Sequence, residues 1–141
     1  MSEFSFSGLD EFMLSMEEIA QIPEDVQDAM LNAQADVVVE AQKQKARTYG
    51  VQDTGAMIQS IKKGRIKTGK NGERLIYVTP SGSRKRGNTV VRNAEIAFVN
   101  EYGTRDQKAR PFIKDANETS AEATTEAAAA IYFKWQEDKG L

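Results

Sequence analysis

The stretch from Pro23 to Gly50 constrains the fold more than any other part of the chain. Pro23 suits the first turn of a helix, where its missing N–H costs nothing. Glu24, Asp25 and Asp28 follow and complement the positive end of the helix dipole. Val26, Met30, Ala33, Val37 and Ala41 then recur at spacings of three and four, which makes one apolar stripe on a helix. Lys43, Lys45 and Arg47 gather at the far end, where cations are favoured, and Gly50 is a C-terminal stop. The spacing predicts a helix over Glu24–Thr48 with its stripe in the core.

The other elements are arranged around this helix. Residues 1–7 are expected to be disordered. Ser7 is a candidate N-cap, with Asp10 three residues on, for a short helix ending near Gln21 along Leu9, Phe12, Met13 and Met16. That helix either packs on its own domain or offers its apolar face to a partner. Beyond Gly50, Asp53-Thr54-Gly55 reads as a turn in which Asp53 or Thr54 caps a helical turn over Ala56–Ser60. A catalytic Asp53 is conceivable in isolation, but capping needs fewer assumptions.

Ile61–Lys67 reads as a strand with basic residues on its exposed face, and Asn71-Gly72 as a hairpin turn. Leu75–Thr79 reads as a buried returning strand that holds Tyr77. Residues 80–93, rich in glycine, serine and base, read as a mobile loop, with a strand edge at Thr89–Val91. The aromatic and β-branched content around Ile96 and Phe98 predicts a main strand over Glu95–Asn100, broken by Gly103-Thr104. Pro111 begins the last helix, which runs to Asp138 with Phe112, Ala116, Ala123, Ala127, Ile131 and Trp135 on its apolar face. The expectation is a single α+β domain. It has two N-terminal helices, a small antiparallel sheet of three to four strands and a long C-terminal helix packed on the sheet.

Composition narrows the chemistry. The chain has 141 residues, the size of one domain with a modest core. It contains no histidine and no cysteine, which removes the commonest general base, thiol nucleophiles, disulfides and the usual zinc ligands. Only carboxylates remain for acid–base work, so an enzyme is disfavoured and no cofactor or metal is expected. The acidic N-terminus lacks the basic and apolar regions of a secretory signal, and no apolar run is long enough to span a bilayer.

The net charge of −2 conceals a strong segregation. Residues 1–42 carry ten acids and no base, whereas residues 62–92 carry ten bases and one acid, Glu73. Two readings stand open. Oppositely charged faces favour head-to-tail packing of copies, or the acidic helices cover the basic strands within one subunit. The basic segment, Arg84, Lys85 and Arg86 above all, could also neutralise phosphates of nucleic acid or meet an acidic partner.

Glu101-Tyr102-Gly103-Thr104, followed by Pro111-Phe112-Ile113, resembles the signature of small neck proteins of tailed bacteriophages. These form the gene-product-ten-like family of tail-completion or head–tail joining proteins, similar to the minor tail protein Z group. Asp53-Thr54-Gly55, with Ser60-Ile61 after it, resembles the other motif of that family, and the layout matches over roughly residues 8–138. The resemblance implies a non-enzymatic virion protein at the head–tail junction, assembled in the host cytoplasm. It implies a homo-oligomeric ring, with six subunits matching the symmetry of the tail, and contacts to other neck and tail proteins. The loop Arg105, Asp106, Gln107, Lys108 and Arg110 is the candidate for those contacts, and Arg84, Lys85 and Arg86 for contact with packaged DNA. The alternative, from a different class, is a small nucleic-acid-binding module using residues 62–92.

Overall fold

The computed structural model describes residues 16–51 and 55–140. Its class is α+β, with antiparallel strand pairing and a long helical C-terminal arm, as the sequence predicts. The expected disorder of residues 1–7, and the start of the first helix at Ser7, lie outside the described residues. Within them, α1 covers Met16–Gln21 and α2 covers Glu24–Thr48.

Helix α2 has the predicted bounds and ends as predicted. Gly50 has φ 72°, its N–H bonds to the Arg47 carbonyl, and the Val51 N–H reaches back to the Ala46 carbonyl. This pair of bonds is the Schellman arrangement, sealed by the buried Val51 and Ala46. The 25 residues make a rod about 37 Å long at 1.5 Å per residue, and much of the remaining chain packs along it. Because neighbours surround it, burial is not confined to the predicted stripe. Met30 is buried and the rest of the stripe is half-buried, while Ala35, Gln42 and Ala46 are buried as well.

Helix α3 (Ala56–Ser60) has the predicted bounds. The strands differ from expectation in extent and grouping. β1 (Lys62–Lys63) pairs with β4 (Val78–Thr79), β2 (Lys67–Thr68) with β3 (Arg74–Leu75), and β5 (Ser83–Arg86) with β6 (Thr89–Arg92). All three pairs are antiparallel, and they form three two-stranded ladders instead of one sheet of three to four strands. The first long strand is interrupted over residues 64–66, although the Gly64 N–H still bonds to the Tyr77 carbonyl at 2.8 Å. Tyr77 is 55% exposed and not buried as expected, since the half-buried Ile76 and Val78 take the inward positions. The segment predicted as a mobile loop contains the β5–β6 hairpin, closed by Gly87-Asn88 with Gly87 at φ 65°.

The expected strand over Glu95–Asn100 is a helix, α4 (Asn93–Tyr102). Asn93 and Ala97 are buried, and Ile96, Asn100 and Glu101 are half-buried; these spacings of three and four describe one helix face. The large side chains Phe98 and Tyr102 point outward, so their strand-like composition misled the reading. The C-terminal helix is divided at Ser120 into α5 (Phe112–Thr119) and α6 (Ala121–Asp138). Thr119 and Thr125 donate their hydroxyls to carbonyls four residues back, a pattern that bends helices. The buried face also departs from expectation: after Phe112 and Ala116 it continues through Ser120, Ala128, Ala129 and Tyr132, and Ala123 is exposed. The polar Ser120 at an inward position concealed that register.

The α5–α6 arm packs antiparallel on α2 and not on the strands as expected, because its small inward residues fit the long helix, and two apolar clusters result. Ile22 and Met30 pack with Ala128, Ala129 and Tyr132 at one end. Ala46, Val51, Met57, Ile58, Ile61, Ala97 and Phe112 pack together at the other. The second cluster fixes the corner where α2 ends, α4 ends and α5 begins.

Candidate functional site

The motif residues Glu101, Tyr102, Gly103, Thr104, Pro111 and Phe112 meet at this corner. Gly103 ends α4 with φ 77°, which favours glycine, and a Cβ there would lie 2.7 Å from both the Ala109 nitrogen and the Gln107 oxygen. The loop therefore folds back against the glycine. The Thr104 N–H bonds to the Gln107 carbonyl at 2.8 Å, and the Arg110 N–H to the Asn100 carbonyl at 2.6 Å. The Gln107 Nε2 donates to Asn100 Oδ1.

Glu101 completes the corner. Its Oε1 accepts the Ile113 N–H at 2.8 Å and its Oε2 the Lys114 N–H at 3.0 Å. A carboxylate from the end of one helix thus caps the start of another, where Pro111 has no side-chain oxygen to offer. Phe112 beside it is fully buried. On the same helix, Asp115 accepts a hydrogen bond from the Tyr49 hydroxyl, which raises the pKa of that hydroxyl above the usual tyrosine value. The corner joins three helices through directed bonds.

Of the other motif, Asp53 and Thr54 lie outside the described residues. Gly55 stands at φ 81° immediately before α3. The Ser60 hydroxyl donates to the Met57 carbonyl and accepts the Ser81 N–H, which ties α3 to the start of the β5–β6 hairpin. In the loop after Gly103, Arg105, Asp106, Lys108 and Arg110 are exposed and Gln107 is half-buried. The predicted contact loop is therefore a solvent-facing projection on a fixed base.

The basic segment divides into held and open charges. Arg74 donates to both oxygens of Asp28, at 2.8 Å for the closer pair, and lies 3.4 Å from Glu24. That bidentate bond raises the Arg74 pKa further. Lys63 sits 2.8 Å from Asp36. Acids of α2 thus cover two of the ten bases within one subunit, so the covering reading of the segregated charges holds for these two. Arg84 is half-buried in β5, Lys85 is exposed, and Arg86 ends the strand. Neither Arg84 nor Lys85 lines the groove formed by Lys62, Lys63, Gly64, Arg65, Lys67, Tyr77, Thr79 and Ser81.

Two further features escaped the sequence reading. The rings of Phe98 and Tyr102 pack at 4.8 Å between centroids, tilted by 50°, 63% and 69% exposed, with Val99 beside them on α4. Their spacing of four was the available signal, hidden by the strand assignment. The long-range cap from Glu101 left no local signal.

Compared with known protein families, with characterised proteins and with solved structures, the chain matches none. Among the described residues, no three acidic, histidine or cysteine side chains converge as metal ligands, and no helix is long and apolar enough to cross a membrane.

Proposed function

We propose that this chain is a structural virion protein of a tailed phage or prophage, which completes the tail and joins it to the DNA-filled head. The observation that supports this reading is the corner. The residues that resemble the neck-protein signature, Glu101, Gly103, Pro111 and Phe112, cooperate there in one structural unit. That cooperation in one structural unit supports a scaffold reading of the signature.

The mechanism in this reading is assembly. Identical subunits close into a ring, six being the number that matches a tail, and projecting loops dock on neighbouring neck and tail proteins. The corner holds α4 and the loop Arg105–Arg110 in fixed relation, so two surfaces are presented together. The exposed Phe98 and Tyr102 suit an apolar contact with an adjacent subunit. Arg105, Asp106 and Lys108, exposed on the loop, suit polar contacts at its rim.

The test is electron microscopy of a phage lysate in which this gene carries a stop codon. Filled heads lying beside unattached tails are expected. Normal infectious virions would overturn the proposal.

A further inference from the structure

The groove between β1, β2 and β4 carries chemistry that the head–tail reading does not use. Lys62, Arg65 and Lys67 line it, all exposed, and none forms an ion pair among the described residues. Lys63, the fourth cation, is held by Asp36. Among the described residues no carboxylate lines the groove, while Thr79 and Ser81 add hydroxyls. The Tyr77 ring stands in the same groove, 55% exposed, with the Lys67 ammonium 5.8 Å from its centroid.

We propose that this groove binds a single-stranded nucleic acid, with phosphates on Lys62, Arg65 and Lys67 and a base stacked on Tyr77. The ring decides among polyanions. An acidic polypeptide would satisfy the cations and leave the aromatic surface in water. A duplex would supply phosphates but keeps its bases stacked on each other, out of reach of a side chain on a shallow surface. A single strand offers phosphates and free π-faces together, the combination used by sequence-tolerant strand binders. The arrangement depends on strand geometry. β1 pairs with β4 and β2 with β3, so residues distant in sequence, Lys62 and Tyr77, line one groove. The inference stands apart from the head–tail reading, and either can fail without the other.

The test is fluorescence anisotropy of a labelled oligothymidylate of about 12 nucleotides, titrated with the full chain across a salt series. Three phosphate contacts give a slope of log affinity against log salt of about −2 for a single strand. The triple variant Lys62→Ala, Arg65→Ala, Lys67→Ala is expected to bring the slope close to zero. Tyr77→Ala is expected to weaken binding about 5- to 100-fold at fixed salt, while Tyr77→Phe retains it. Lys134→Ala, an exposed change on α6, serves as the charge control and should behave as the parent chain. The altered side chains are exposed, and circular dichroism of each variant checks the fold. Absence of binding at low salt would overturn the proposal. So would a Tyr77→Ala variant that binds like the parent, or a polyglutamate peptide that competes as well as unlabelled oligothymidylate.

Discussion

The corner around Gly103 and the spine formed by α2 against α6 are both helix junctions, yet they are built differently. At the corner, the largest fully buried side chains, Phe112 and Ile61, fill the interior, and Glu101 makes two bonds to backbone at a chain separation of 12 and 13 residues. In the spine most buried positions are small or polar (Ala35, Ala128, Ala129, Gln42 and Ser120), and the larger Met30 and Tyr132 are gathered at one end. Gln42 Oε1 and the hydroxyl of Ser120 have no hydrogen-bond partner among the described residues. Small residues permit close helix approach over a long surface, so cohesion there is spread over many weak contacts. The corner concentrates it in a few residues that nothing else replaces.

Substitutions can break this contrast. Phe112→Ala should cost about 3–5 kcal/mol, the usual range for emptying a fully buried aromatic site. Urea unfolding followed by circular dichroism measures it, and a cost below about 1 kcal/mol would mean that the corner collapses around the void. Gly103→Ala should cost roughly 2–3 kcal/mol, since the new Cβ meets backbone atoms at 2.7 Å in a conformation that alanine resists. The lesion should also release the loop, seen as faster amide exchange at Thr104 and Gln107. Glu101→Gln, which keeps the shape but removes the charge and one acceptor, should cost about 1–2 kcal/mol. Its stability should depend less on salt than that of the parent chain. If Glu101→Gln is neutral, the cap is ornamental and the corner rests on packing alone.

The two regions also differed in how legible they were. Helix α2 was read with its bounds because propensity, end charges and a glycine stop agree locally. Phe112 was placed in the core for a similar reason: it follows a proline that starts a helix. Helix α4 departs from expectation because Ile96, Phe98 and Val99 have strand-like composition, while burial is decided by Asn93, held by the backbone of Ser81 and Gly82, and by Ala97, packed on α3. The α6 face was misread because Ser120 sits inside. Both errors have one cause, polar or small residues placed inward by tertiary packing against expectations from side-chain type. The motif corner was legible as a string of residues, but Glu101 as a cap was not, since its partners lie across a loop. Tyr77 in the groove was missed because its strand neighbours Ile76 and Val78 suggested burial.

The smallest expected effect reverses sign and bears on the spine alone. Ser120 is 7% exposed, and it is the one residue interrupting α5 and α6. Its N–H still bonds to the Ala116 carbonyl and its carbonyl to the Thr124 N–H, so the backbone ladder passes through it. Among the described residues its hydroxyl has no hydrogen-bond partner. Ser120→Ala removes that group, leaves the backbone bonds in place and adds the helix propensity of alanine. A gain of about 0.5–1 kcal/mol is expected, read as a rise in Tm of about 2–4 °C. A fall of similar size would show that the hydroxyl has a structural role in the spine, through a bound water or a set bend between α5 and α6. The spine would then be as residue-specific as the corner. With the gain, the contrast sharpens: a corner whose residues cannot be exchanged holds the loop, and a spine that accepts improvement carries it.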